Sequence, residues 1–359
     1  MAVARRIVPG DYDSWYAEWM AEGRREAEHA EAEAARGRQR NAGEAWLRAQ
    51  ECFRSAYFFV RRDPHGTELL QAWRASREAF RAALPGLPVA VEAVRIPWQD
   101  IHLEGYVLHA RAGAPTVLMT CGYDSPPEEF YSLGGYEAAL RGFNVVAFSG
   151  PGQAEMLYER GIPFRPDFEA VVGPVIDFVE RTAGLDASRI AIVGRSFGGY
   201  LAPRAASREP RIGALAADPA QTDMTAAIAR RFPPEWLKLY ERDDPSLNDK
   251  IWAAFPGSRG QEYWLSRIRA HGLTTPLDYL QELRRWTVDV ESIACPAFVS
   301  CGEGDFAEVS SDAFFARLPN PDKRFVRYRD ADGSGGHCEG MGPTRCYADL
   351  FGWLGELWP

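Results

Sequence analysis

Three residue types spread along this chain could together perform acyl transfer: a serine at a glycine-rich turn, a histidine and a carboxylate. A serine hydroxyl is a weak nucleophile at neutral pH, so it needs a base, and the base needs an acid that fixes its tautomer and stabilises its charged form. The serine is Ser196, in Gly194-Arg195-Ser196-Phe197-Gly198-Gly199, directly after the apolar run Ile190-Ala191-Ile192-Val193. A β-branched run that stops at glycine, turns through serine and restarts among glycines reads as strand, sharp turn, helix, the setting of a nucleophile elbow. Downstream of Ser196 the histidines are His271 and His337. His271 lies in a charged, aromatic, helix-like stretch, Tyr263 to Gly272, and reads as a surface or packing residue. His337 lies in a glycine-rich loop, Asp332 to Glu339, after the strand-like Arg324 to Tyr328, and is the expected base. The acid belongs one strand earlier, where Cys295 to Gly302 runs into Glu303-Gly304-Asp305. Asp305 is preferred; its competitor Glu303 follows the strand too directly for a loop-borne acid.

A tetrahedral intermediate also needs hydrogen-bond donors already aimed at the developing oxyanion. One is expected from the backbone N–H of Phe197, the residue after the nucleophile. The second is expected from the loop after the strand-like Thr116 to Cys121, where Gly122 permits close approach and the Tyr123 N–H is favoured. Cys121 is the alternative nucleophile, but it has no turn of its own and reads as the last buried residue of its strand.

The elements that must hold these groups fall into two parts. Residues 1–88 are rich in Ala, Glu and Arg at helical spacing, and form the expected N-terminal helical domain. Tyr12, Trp15, Tyr16 and Trp19 share one helical face, a second segment runs from Arg24 to Phe59, and a third helix from Thr67 to Ala83 ends at Leu84-Pro85-Gly86-Leu87-Pro88. These aromatics either dock the helices on the rest of the chain or line an apolar pocket, with docking the commoner use of a buried ring.

Residues 89–359 form the expected core. Val91 to Ile96 and Ile101 to His109 alternate as an antiparallel pair. Strands at Thr116 to Cys121, Asn144 to Phe148, the elbow and Ile212 to Ala217 then alternate with helices at Leu133 to Arg141 and Phe168 to Arg181. That alternation predicts an α/β fold with a doubly wound, mostly parallel sheet and right-handed crossovers. From about 219 to 293 the strands stop and a helical, aromatic-rich insertion intervenes, with Trp236, Tyr240, Trp252, Trp264, Tyr279 and Trp286; it is a candidate cap over the strand ends. The sheet resumes at Ala297 to Cys301 and Phe325 to Tyr328, and Thr344 to Trp358 closes the chain as a helix.

Composition bounds the function. A net charge of −9 over 359 residues, with no dense basic stretch, argues against nucleic acid as a partner. No run approaches the roughly 20 apolar residues of a membrane span, and the first ten residues lack an apolar leader core, so a cytoplasmic location away from membranes is expected. The 6 cysteines have neither paired metal spacing nor disulfide-scaffold density, and read as reduced thiols; no metal or organic cofactor is expected. A small molecule is the expected partner, with a homodimer left open.

Taken jointly, Gly122-Tyr123-Asp124-Ser125-x-x-Glu128-Glu129, Gly150-Pro151-Gly152-Gln153-x-Glu155-Met156, Gly194-Arg195-Ser196-x-Gly198-Gly199 and Gly336-His337-Cys338 resemble the α/β-hydrolases that carry an N-terminal helical domain. That group includes 2,6-dihydroxypseudooxynicotine hydrolase and the fungal heptaketide hydrolases, and the resemblance spans essentially the whole chain. It implies the α/β-hydrolase fold, a Ser196–Asp305–His337 triad, a pocket between helical domain and core, and hydrolysis of a carbon–carbon bond next to a carbonyl. The chain departs from the group at Ser149, where Asp is common, and at Ala154, where Gly is common. A carbon leaving group could be assisted by an extra carboxylate, for which Asp218 and Asp223 are candidates, each weighed against a helix-capping role. The rival chemistry is ester, thioester or amide cleavage, acyl transfer or cyclisation by the same residues. A non-catalytic ligand receptor on the same fold would have no use for an intact triad.

Overall fold

The computed structural model describes residues 3–120, 122–229 and 232–359; Cys121, weighed above as an alternative nucleophile, lies outside them. Eight strands form one sheet: β1 (Ala90–Trp98), β2 (Ile101–His109), β3 (Ala114–Thr120), β4 (Asn144–Phe148), β5 (Leu185–Arg195), β6 (Ala214–Asp218), β7 (Ala297–Gly302) and β8 (Lys323–Tyr328). Their order is β1-β2-β4-β3-β5-β6-β7-β8. The β1–β2 and β2–β4 pairs are antiparallel and the remaining pairs parallel.

The central strands are apolar on both sides because helices cover both faces. Along β5, Ile190 and Ile192 enter one core while Ala191 and Val193 enter the other. This period of two fixes which face each later residue reaches. Arg195 follows Val193 onto the second face, and Asp218 of β6 follows Ala214 and Ala216 there. Both belong to the face on which Tyr347, Leu350 and Phe351 of the closing helix, Thr344–Leu357, pack.

The N-terminal region is three helices, α1 (Tyr12–Ala35), α2 (Gln39–Ala56) and α3 (Thr67–Ala83). The sequence reading breaks the first helix near Arg24, but α1 is continuous to Ala35 and the break falls at Arg36 and Gly37, where φ reaches +75° at Gly37. A 3₁₀ turn, Leu84–Gly86, ends α3's run toward the sheet. Trp73 meets Tyr158 edge-on at 5.6 Å and Phe80 meets Tyr106 at 4.9 Å, so α3 is docked on the core by its rings. Near the start of α1, Tyr12 stacks on Phe59 at 4.5 Å. Between β6 and β7 lie helices Met224–Ala229, Pro234–Glu241, Ser246–Ala254, Gly257–Ala270 and Pro276–Glu282. Among the described residues no helix is long and apolar enough to cross a membrane.

Candidate active site

β5 ends at Arg195 and a helix begins at Gly198, leaving Ser196 and Phe197 as a two-residue turn in which Ser196 has φ of +57°. A non-glycine side chain rarely occupies that region, and here the turn holds it: the Ser196 N–H donates to the Asp218 carbonyl at 2.7 Å. The elbow closes because Gly194 and Gly198 lie against each other. A Cβ on Gly194 would run into the Gly198 carbonyl and come within 2.7 Å of the Ala202 Cβ.

Two further loops converge on the serine. His337 Nε2 lies 2.9 Å from Ser196 Oγ, and His337 Nδ1 lies 2.7 Å from Asp305 Oδ2. The Asp305 side chain is fully buried and also accepts the Ala307 N–H at 2.9 Å. Glu303, its competitor in sequence, instead accepts the Asp330 N–H at 2.9 Å. Burial lowers the His337 pKa, but the hydrogen bond and charge of Asp305, with Asp218 and Asp124 farther off, raise it above its ordinary value in sum. The arrangement can therefore draw a proton from Ser196 and hold the resulting imidazolium.

Gly122 lies against the elbow: a Cβ there would sit 2.8 Å from the Phe197 nitrogen and 3.0 Å from Ser196 Oγ. Any larger residue would fill the space beside the nucleophile. The Phe197 and Tyr123 N–H groups donate to no partner among the described hydrogen bonds, which leaves both available for an oxyanion. Gln153 braces this loop, accepting the Gly150 N–H at 2.9 Å and donating to the Gly122 carbonyl at 3.2 Å. The next residue, Ala154, has φ of +38°, a physical reason for glycine to be common there.

Tyr123 carries more than a backbone N–H. Its ring stacks on Phe197 at 4.3 Å, and its hydroxyl meets His271 Nε2 at 2.8 Å and the Tyr279 hydroxyl at 3.1 Å. His271 is a packing residue, as one of the two sequence readings has it, but it is buried rather than on the surface. Burial lowers its pKa to about 3, so it is neutral near pH 7. Phe164 and Trp286 complete the cluster, at 5.1 and 5.4 Å from Phe197.

The two extra carboxylates are not brought together. Asp218 is buried on the second sheet face, where its Oδ2 accepts from Arg195 Nε at 3.1 Å. It neither caps a helix of the insertion nor opens onto the space beside Ser196; it is held in a charged cluster behind the elbow. Arg195 also donates to the Tyr347 hydroxyl at 2.6 Å and to the Cys338 carbonyl, tying the His337 loop to the elbow strand. Glu339, fully buried, lies 3.7 Å from Arg195 Nη2, and burial first and Asp218 next push its pKa far up, which favours its neutral form. Asp223 is exposed and bridges to Thr287 across the start of the insertion.

Sequence reasoning missed the partners of Asp124. Its carboxylate lies 3.4 Å from Arg61 Nη1 and 3.9 Å from Arg54 Nη2, both in the N-terminal region. Burial works against its charge, but Arg61, Arg54 and Arg267 together hold its pKa below the ordinary range. Asp124 stood within a quoted motif; its partners carried no signal because they are remote in sequence. The five described cysteines are all unpaired thiols.

Comparison with known proteins agrees with this architecture. Residues 107–340 match the Alpha/beta hydrolase family. Hydrolase acrC of Aspergillus aculeatus is 33% identical over an alignment of length 389, covering 99% of this chain and 91% of its own. The 20-hydroxy-prefusarin hydrolase FUS2 of Gibberella moniliformis is 32% identical over 333, covering 85% and 77%. The crystal structure of 2,6-dihydroxy-pseudo-oxynicotine hydrolase superposes with a TM-score of 0.75 at 22% identity, covering 99% of this chain and 91% of that one, a likeness of fold. With the elbow, the sheet order and this match in agreement, the chain belongs to the α/β-hydrolase family and is a hydrolase.

Proposed function

We propose that this hydrolase cleaves a carbon–carbon bond adjacent to a carbonyl in a bulky aromatic or polyketide-like metabolite, with Ser196 as nucleophile, His337 as base and Asp305 as its acid. The observation that carries the serine chemistry is the unbroken chain of contacts, 2.9 Å from Ser196 Oγ to His337 Nε2 and 2.7 Å from His337 Nδ1 to Asp305. The choice of a carbon leaving group rests on the motif resemblance, and the substrate class is in keeping with a relative named as a 20-hydroxy-prefusarin hydrolase.

On a β-dicarbonyl substrate, Ser196 Oγ bonds to one carbonyl carbon as its proton passes to His337 Nε2, and the Phe197 and Tyr123 N–H groups receive the oxyanion. Collapse breaks the carbon–carbon bond, and the departing enolate, stabilised by the second carbonyl, takes the proton from His337. Water then attacks the acyl-enzyme with His337 again as base, releasing a carboxylic acid and returning the proton to Ser196. One water is consumed, and the products are an acid and a shortened ketone.

Product analysis by mass spectrometry tests this, comparing wild type with Ser196→Ala on aromatic β-diketones and matched aryl esters and thioesters. Ser196-dependent release of acid plus shortened ketone is expected. Turnover of esters or thioesters alone, or condensation to a larger product, would reassign the chain as an esterase or acyltransferase, and activity independent of Ser196 would remove the triad.

A further inference from the structure

The insertion carries a cleft of about 760 Å³, open on one side, whose aromatic walls include Phe232, Trp236, Tyr263, Trp264 and Tyr279. Its described lining contains two arginines, Arg259 and Arg267, and no acidic residue. The helix Gly257–Ala270 presents Arg259, Tyr263 and Arg267 at successive steps of four, one row facing the same space. Tyr279, in the cleft wall, bonds to the Tyr123 hydroxyl, and the Arg267 guanidinium lies over the Tyr123 ring at 5.5 Å. Tyr123 in turn follows Gly122, which touches Ser196, so the cleft wall reaches within one side chain of the nucleophile.

Arg267 is held but not neutralised. Its guanidinium lies over Tyr263 at 4.0 Å, and Nη1 donates to the Tyr263 carbonyl at 2.9 Å and toward Ser266 Oγ at 3.5 Å. The opposite edge, Nε and Nη2, has no hydrogen-bond or ion-pair partner among the described residues. That edge is the one a carboxylate or other planar oxyanion engages side-on through two parallel N–H bonds. The nearby carboxylates make their close contacts elsewhere: Asp124, which Arg267 reaches only through longer-range charge, lies 3.4 Å from Arg61, and Glu262 accepts the Arg61 and Arg62 backbone N–H groups at 2.8 and 3.0 Å. A fixed guanidinium beside aromatic walls, with one donor edge open, suits a flat conjugated body that carries an anionic oxygen.

Resting on the functional reading above, we propose that this cleft selects anionic conjugated substrates, a carboxylate or an acidic enol, by pairing the anionic oxygen with the Nε/Nη2 edge of Arg267. The neutral remainder of the substrate lies against Trp236 and Trp264, and its reacting carbonyl reaches Ser196 past Tyr123.

Binding can be read without turnover in Ser196→Ala protein, using two fluorescent probes of matched shape: 1-anilinonaphthalene-8-sulfonate, an anion, and neutral N-phenyl-1-naphthylamine. Arg267→Met in that background is expected to weaken the sulfonate about tenfold or more and leave the neutral probe within about twofold, with Arg267→Lys intermediate for the sulfonate because it keeps the charge and loses the fork. Trp236→Ala is expected to weaken both probes. Equal loss of both probes in Arg267→Met and Arg267→Lys, no loss of the sulfonate in either, or unchanged binding in Trp236→Ala would overturn the proposal. Hydrolysis of a neutral β-diketone by wild type distinguishes the two ideas, since that result upholds the serine chemistry even where anion selection fails.

Discussion

Two buried clusters flank Ser196 and are built in opposite ways. Behind the elbow, the charged pair of Arg195 and Asp218 holds the chain, one guanidinium reaching Asp218, the Tyr347 hydroxyl and the Cys338 carbonyl on three elements. In front of it, Tyr123, Phe164, Phe197, His271 and Trp286 hold it by rings, with a single hydrogen-bonded hydroxyl chain through Tyr123. A buried charge tolerates one arrangement, because any displacement leaves it unpaired, whereas stacked rings exchange contacts at small cost. The charged side therefore fixes where the His337 loop meets the serine, and the aromatic side has the looser constraint of ring packing.

Breaking the machinery between the clusters is expected to have the largest effect. Ser196→Ala should lower kcat by at least about 10⁴-fold, and Asp305→Asn by about 10⁴-fold while the fold is retained, measured as single-turnover product formation alongside circular dichroism. Next comes the charged side. Arg195→Met leaves Asp218 buried and unpaired and should cost about 3–5 kcal/mol in urea unfolding. A loss under 1 kcal/mol would mean that Asp218 takes up a proton or finds water instead.

On the aromatic side, Tyr123→Phe keeps the ring and deprives buried His271, whose Nδ1 already lacks a partner, of its contact at Nε2. A loss of about 1–3 kcal/mol is expected, with stacking on Phe197 intact. Glu339→Gln sharpens the comparison from the charged side: an amide and a protonated carboxyl are both neutral, so the cost should stay below about 1 kcal/mol. A cost matching that of Arg195→Met would show that Glu339 is ionised.

The pH profile is the finest probe. Only neutral His337 can take the serine proton, so kcat/KM should fall as the pH drops through its raised pKa. Asp305→Asn, which removes the hydrogen-bonded charge, should move that acid limb to lower pH. An unmoved limb would assign it to another group.

Much of this was legible because the chemistry is written in local patterns. The apolar run, the glycine spacing around Ser196, and a histidine and an aspartate on loops after late strands each follow from a few adjacent residues. Alternation of strands and helices gives the sheet in the same way, and α3 runs over the predicted Thr67–Ala83. The end of α1 was misread because Arg24 to Ala35 is as helical as what precedes it, and only the left-handed turn at Gly37 stops the run. Asp218 was read as a possible substrate contact because a carboxylate just past the sixth strand looks alike on either face; the pairing of β5 with β6 turns it toward Arg195.

The sequence alone therefore determined the local geometry, the residue types of the chemistry and the order in which the loops arrive. Only the tertiary structure decided which charges meet. Asp124 with Arg61 and Arg195 with the His337 loop depend on groups 60 or more positions apart along the chain. Ion pairing follows distance through space, and no periodicity or spacing along the sequence encodes it.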